Sequence, residues 1–323
     1  MARILTGIQS TGTPHLGNLL GAIIPAIDLA KEPQNESFLF IADMHSLTQI
    51  KNASELKENT LNTAAAWLAF GLDPEKTVFY RQSDIPEVCE LSWYLMCHFP
   101  YQRLTLAHSF KDKADRLSDV NAGLFTYPML MAADILLYDA AQVPVGKDQL
   151  QHLEMTRDVA TKINLSTKKD LLVIPEAKIQ ENTMLVPGTD GSKMSKSKGN
   201  TINLFLPDKQ LRKQIMKIET DSTPMEEPKN PENCNVYNLY KLIGTAEETN
   251  ELAANYRAGN FGYGHAKEAL FQCILNRFKQ ERTLFNHYTS NPSEVETILN
   301  QGAEKARIIA RKTLNRVRKE MGY

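Results

Sequence analysis

Short apolar runs alternate with longer stretches whose apolar residues recur at helical spacing through the first half of the chain. Arg3 to Ile8 reads as a strand and Asn18 to Ala30 as a helix. The scheme repeats with a buried-strand run over Phe38 to Ala42 and a helix from Ser54 to Phe70 that stops before Gly71. Val78 to Tyr80 gives a third strand, Glu87 to Phe99 a third helix, and Val143 to Val145 a short fourth strand. Strands separated by long helices predict right-handed crossovers and a parallel sheet covered on both faces, with ligands at the carboxyl ends of the strands. Polar residues fall at those ends: Gly7 and Gln9 after the first strand, Asp43 and His45 after the second, Gly146 and Asp148 after the fourth. From Pro207 the pattern is almost wholly helical, near 207–218, 235–243, 246–258, 263–287 and 292–320, with breaks at Pro224, Pro228, Pro231, Gly259, Gly262 and Gly264. The expected fold is therefore α/β, a parallel-sheet domain followed by a second, α-helical domain.

Composition narrows this only a little. Of 323 residues, 42% are hydrophobic and 23% charged, as in an ordinary globular chain. Lys and Arg number 37 against 38 Asp and Glu, so a polyanionic partner must be met by local patches rather than by the overall field. The last helix carries Arg307, Arg311, Lys312, Arg316, Arg318 and Lys319, either a basic stripe for a polyanion or charge that suits a helix C-terminus. Cys89, Cys97, Cys234 and Cys273 lack the close pairing of a zinc site and read as reduced packing residues, so no metal ligands are assigned. No signal-peptide core and no apolar run near the ~18 residues of a membrane span is evident, which leads to an expectation of a cytoplasmic protein that does not bind membranes.

Three segments carry chemistry. Lys193-Met194-Ser195-Lys196-Ser197-Lys198 places three lysines in six residues, between Gly191 and Gly199. Alone this is a solvated surface loop; as a flexible cationic loop between glycine hinges it suits polyphosphate oxygens whose charge grows during a reaction. Thr6 to Gly21 runs from a strand through a glycine-rich turn into a helix start, where unpaired N–H groups favour phosphate, and it lacks the Gly-x-Gly-x-x-Gly dinucleotide fingerprint. His15-Leu16-Gly17-Asn18 puts an imidazole, a bare backbone and a carboxamide on the first helical turn. Thr126 to Tyr138 is apolar nearly all round with one carboxylate, Asp134, which needs either an internal cationic partner or a ligand donor. An indole N–H, a donor only, suits a carboxylate among Met and Ile side chains. In Val143 to Glu154, Asp148 can accept from ribose hydroxyls and Gln149 can bond the ammonium or carboxylate of an amino acid, while His152 and Arg157 read as structural.

The His15-x-Gly17-Asn18 and Lys193–Ser197 segments are similar to the two signatures of class I aminoacyl-tRNA synthetases, and Tyr127–Tyr138 with Gly146–Glu154 resembles the bacterial-type tryptophanyl-tRNA synthetases over nearly the whole chain. The resemblance implies a Rossmann-like catalytic domain at 1–205 and an α-helical tRNA- and anticodon-binding domain at 206–323, whose last helix can return to the catalytic domain. It implies activation of L-tryptophan with ATP, Mg2+ as a cofactor, transfer to tRNA(Trp), and a homodimer. Gln9, Ser10, Thr11, Gly17, Asn18, Gly146, Lys147, Asp148, Met184, Lys193, Met194, Ser195, Lys196 and Ser197 are implied to contact ATP, with Gln9, Asn18, Lys193 and Lys196 catalytic. Asp134 is implied to read the indole nitrogen, with Gly7, His45, Tyr127, Met131, Val143, Val145 and Gln149 completing the tryptophan pocket. Asn18 stands where the class signature usually has a second His, and Leu5 where some relatives have an aromatic. A tyrosine enzyme of the same fold and a catalytically silent, RNA-binding relative are the competing readings; the complete set of lysines and the single acid at Asp134 weigh against both.

Overall fold

Five parallel strands form the centre of the computed structural model, which describes residues 2–107, 120–146, 149–179 and 185–323. Lys147, Asp148, Met184 and the charged segment from Lys111 to Arg116 lie outside the described residues. The strands are β1 (Ala2–Ile8), β2 (Asn35–Ile41), β3 (Val78–Arg81), β4 (Gln142–Val145) and β5 (Glu176–Ile179), in the spatial order β3-β2-β1-β4-β5. The order reverses between β1 and β4, the switch point where open parallel sheets bind ligands. β1 follows β2 in register from Ala2↔Asn35 to Ile8↔Ile41, yet meets β4 only at Ile4↔Gln142. Beyond that pair the two strands line a cavity instead of a ladder.

Both faces of the sheet are covered, as the apolar runs predict. In β2, Leu39 and Ile41 join one buried cluster and Phe38 and Phe40 the other, the period-2 alternation of a strand buried on both sides. The first face is packed by α1, a helix continuous through Leu16–Asn18, a π-helical stretch Leu19–Ile23 and Ile24–Ala30, and by α3 (Ala53–Ala69), which follows the single turn α2 (Asp43–Ser46). The second face is packed by α4 (Glu87–His98), α6 (Ala122–Leu136) and α7 (Leu150–Thr167); a short α5 (Tyr101–Leu104) follows α4. The remaining helices are α8 (Asp208–Met216), α9 (Asn235–Lys241), α10 (Ala246–Ala258), α11 (Tyr263–Arg277), α12 (Lys279–Ser290) and α13 (Pro292–Met321). Leu211, Val236, Leu270 and Phe285 of this helical part share one apolar cluster with α1 and α3.

Three expectations need correction. The single helix expected at 263–287 is two, broken at Phe278, and the fifth strand was not expected because Glu-Ala-Lys-Ile has no apolar run and lies at the sheet edge. Cys234 and Cys273 are buried, but Cys89 and Cys97 are exposed on the outer face of α4. The basic stripe of α13 places Arg318 and Lys319 in the last turn, where positive charge suits the helix dipole, and four of its arginines are engaged within the chain. Arg311 pairs with Glu87 at 2.9 Å, Arg316 with Asp139 at 2.5 Å and Arg318 with Glu90 at 2.5 Å, while Arg307 donates to the Asp84 carbonyl at 2.8 Å.

α13 covers the free edge of β3, which would otherwise offer unpaired backbone groups. Small buried residues, Gly302, Ala303, Ala306 and Ala310, make the close approach possible. A Cβ on Gly302 would sit 1.7 Å from the Phe79 carbonyl oxygen, so backbone meets backbone. Gly302→Ala is therefore expected to destabilise the fold by about 3 kcal/mol or more, since neither main chain can yield. Denaturant unfolding monitored by circular dichroism checks this; a loss below about 0.5 kcal/mol would contradict the packing.

Candidate active site

Two adjoining pockets open at the carboxyl ends of β1 and β4, and Gln9 lines both. The first, about 320 Å³, lies between the turn after β1 and the lysine loop. His15 caps α1 reciprocally with Asn18: the Asn18 N–H donates to His15 Nδ1 at 3.3 Å and the His15 N–H donates to Asn18 Oδ1 at 3.2 Å. An accepting Nδ1 leaves the ring proton on Nε2. Burial, and to a lesser degree the Lys196 charge, hold the His15 pKa down at about 4, so the ring is a neutral donor near neutral pH.

The lysine loop lies against this helix start. The Gly17 N–H points at Met194 Sδ at 3.3 Å, and Lys196 Nζ donates to the Gly12 carbonyl at 2.9 Å. Gly12 has φ +119°, and a Cβ there would stand 3.1 Å from Lys196 Nζ, so glycine serves both the turn and the approach. Lys196 is exposed as a side chain, yet its ammonium is drawn out of bulk water against that turn, which lowers its pKa to about 8. Gly191 and Gly199, with φ +76° and +66°, supply the left-handed turns on either side of the lysines.

The second pocket, about 440 Å³, penetrates between β1, β4 and α6. Asp134, 3% exposed, is reached from two other strand ends. Gln82 Nε2 donates to both of its oxygens at 2.9 and 2.8 Å, and His45 Nε2 approaches Oδ2 at 3.0 Å. The Gln82 amide is oriented by its own Oε1, which accepts from the His45 N–H at 3.3 Å. An ionised Asp134 only accepts, and in that state it is His45 Nε2–H that donates to it. Burial raises the Asp134 pKa, and the hydrogen bonds from His45 and Gln82 oppose that shift. Oδ1 accepts one hydrogen bond among the described residues and keeps a lone pair for a donor in the pocket. Tyr127 stands edge-on to His45, its hydroxyl 2.9 Å from His152 Nε2. A Cβ on Gly7 would fall 2.3 Å from the Phe40 ring, so the pocket floor requires glycine there.

Residues 1–279 match the family described as tRNA synthetases class I (W and Y). The chain belongs to that family. It is 48% identical to the tryptophan–tRNA ligase of Fusobacterium nucleatum over 322 residues, covering 100% of this chain and 98% of that one. It is 45% identical to the tryptophan–tRNA ligase of Campylobacter jejuni over 320 residues, 99% of each. The crystal structure of tryptophanyl-tRNA synthetase from Campylobacter jejuni complexed with ADP and tryptophan superimposes with a TM-score of 0.95 at 44% identity, over 99% of this chain and 100% of that one.

In this member of the class I tRNA synthetases, Gly7, His45, Tyr127, Met131, Asp134, Val143, Val145 and Gln149 all line the second pocket. Of the residues assigned to the nucleotide, Gln9, Thr11, Gly17, Asn18 and Lys193 to Ser197 line the first, and Gly146 lines the second. Ser10 lines neither. It is fully buried, its N–H donating to Ser46 Oγ at 3.0 Å and its hydroxyl 3.2 Å from both Ser46 Oγ and Thr60 Oγ1, so it anchors the turn from beneath. Gln82 was missed, although the rule that found Asp43 and His45 after β2 would have found it after β3. Asn200 was missed as well. It is 2% exposed; Oδ1 accepts from the Ser195 N–H at 2.7 Å, and Nδ2 donates to Asp190 at 2.7 Å and to the Lys193 carbonyl at 3.1 Å.

Asn200 thus holds the lysine loop by its own backbone. Replacing Asn200 with Ala removes the Ser195 N–H acceptor, and amide exchange at 193–198 should quicken by about tenfold, the equivalent of one hydrogen bond. Hydrogen–deuterium exchange read by mass spectrometry tests this; unchanged protection would show that the loop is held elsewhere.

Proposed function

We propose that the two pockets are the ATP and tryptophan sites of a tryptophan–tRNA ligase, and that the named side chains divide its first reaction between them. The enzyme joins L-tryptophan to ATP, giving tryptophanyl-AMP and pyrophosphate, and then esterifies tRNA(Trp). The observation that carries the residue assignment is the buried Asp134 carboxylate, held by His45 and Gln82 and lining a pocket that adjoins, through Gln9, the one bordered by the lysine loop.

In the first step the tryptophan carboxylate attacks the α-phosphorus and pyrophosphate leaves. The nucleophile is already ionised, so catalysis is positioning plus stabilisation of charge on the departing oxygens. Asp134 fixes the indole by its N–H, and Gln149 takes the amino-acid end. Gln9, common to both pockets, spans the reacting groups. The His15 Nε2–H and the Asn18 side-chain amide donate to phosphate, and Lys193 and Lys196 follow the negative charge onto pyrophosphate. Mg2+ would offset phosphate charge and is carried in this reading by the nucleotide.

The remaining expectations are proposals on the same footing: residues 1–205 as the catalytic domain and 206–323 as the anticodon-binding domain, action in the cytoplasm, and a homodimer. Trp93 and Tyr101, 62% and 65% exposed, and Leu47, 46% exposed, are large apolar side chains that a second copy would cover. Among the described residues no helix is long and apolar enough to cross a membrane. Because the arginines of α13 are engaged by the catalytic part, anticodon contacts are expected within 208–290.

Two experiments test this reading. Tryptophan, and not tyrosine, should support ATP–pyrophosphate exchange, and Asp134→Ala should cut kcat/KM for tryptophan by about 10- to 100-fold, the effect of an unpaired indole donor. Equal exchange with tyrosine would sink the assignment. The second follows Lys196, whose pKa is about 8 in the ligand-free chain. A bound triphosphate favours the ammonium and raises that pKa, so ATP binding takes up a proton where Lys196 is neutral. Relative to Lys196→Met, calorimetry in two buffers of different ionisation enthalpy should find about half a proton taken up at pH ~8 and almost none at pH ~6.5. Identical proton uptake by the two proteins would remove Lys196 from the phosphate site.

A further inference from the structure

We infer that Asp43 is a positioning residue for amino-acid recognition, acting through Ser83 on Gln82; the inference rests on the tryptophan reading of the second pocket. Asp43 is 7% exposed, and among the described residues its carboxylate has no salt-bridge partner within contact distance. Such a charge is costly unless hydrogen-bonded. Its bonds go to two places: Oδ1 accepts from the Met44 N–H at 3.1 Å and from the Ser83 N–H at 3.0 Å, and Oδ2 accepts from the Ser83 hydroxyl at 2.5 Å.

Those places are the roots of the two side chains that hold Asp134. Asp43 begins the single turn that carries His45, and Ser83 lies in the 3-10 turn Gln82–Asp84 that carries Gln82. A link between the turns after β2 and β3 sets the separation of His45 from Gln82, and hence the aim of the one open lone pair on Asp134. Asp43 and Ser83 themselves line neither ligand pocket. Both border a separate cleft of about 860 Å³ between α3 and α13, so they work from behind the site.

A role in aiming Asp134 predicts an effect confined to the amino acid. In ATP–pyrophosphate exchange by the full chain, Asp43→Ala should raise KM for tryptophan about 10- to 100-fold, the cost of a lost charged acceptor. KM for ATP should stay within about twofold and kcat should fall less than the KM rises. Asp43→Asn, which keeps one acceptor oxygen, should recover part of the loss, and Ser83→Ala should shift tryptophan KM in the same direction by a smaller factor. Should Asp43→Ala not fold, Ser83→Ala and Asp43→Asn decide the matter. An unchanged tryptophan KM in the folded variants, or equal rises in both KM values, would overturn the inference. Failure of the unmodified chain to prefer tryptophan would instead overturn the reading of the pocket.

Discussion

A carboxylate in a dry helix must be hydrogen-bonded from outside that helix, and most of the recognition site follows from meeting this demand at Asp134. α6 is apolar nearly all round and offers Asp134 no partner of its own. The donors come from the ends of β2 and β3, as His45 and Gln82, so three successive crossover units converge on two oxygen atoms. Burying this network raises the stakes of each member, because any partner removed leaves a charge without solvation. In the proposed function it also makes the site selective, since the remaining lone pair is then satisfied by a donor that enters the pocket. The register of β1 against β4 supplies the room: with a single paired position, the sheet opens into the second pocket.

The first pocket is built on another principle: it lies between a helix start capped by its own His15 and Asn18 and a lysine loop held by Asn200, and in the proposed function an anionic ligand brings the charge to it. The lowered pKa of Lys196 and the neutral state of His15 have the same main origin, desolvation in the turn they share, with the Lys196 charge adding to the effect on His15. In the proposed function, two pockets that share Gln9 thus combine a hydrogen-bonded amino-acid reader with a cationic nucleotide side.

Sequence pattern alone located four of the five strands, the crossover helices and the helical second half, because each presents a run of unambiguous period. It missed β5, whose edge position asks for no apolar run, and the break at Phe278, where one aromatic residue interrupts two helices of similar spacing. Around the pockets, residues with distinctive chemistry in short motifs were legible. The burial of Ser10 was not legible, because a serine in a glycine-rich turn looks ligand-facing and the Ser46 and Thr60 hydroxyls beside it lie 36 and 50 positions away. The arginines of α13 were unreadable for the same reason, their partners Glu87, Glu90 and Asp139 being 177 to 228 positions earlier.

That last helix binds the two halves of the molecule into one mechanical object. Gly302 lets α13 lie directly on β3, Glu296 reaches Arg81 at 2.9 Å, and Arg307 donates to the Asp84 carbonyl at 2.8 Å. Arg81 and Asp84 flank Gln82, and they pair with each other at 2.9 Å. The turn that presents Gln82 to Asp134 is therefore held from the α13 side by these contacts and from the β2 side by Asp43. An exposed ion pair contributes little to stability, but several acting on one short turn restrict its geometry more than their separate energies suggest. If Asp134 reads the amino acid as proposed, the seating of a helix near the C-terminus thereby becomes part of that recognition.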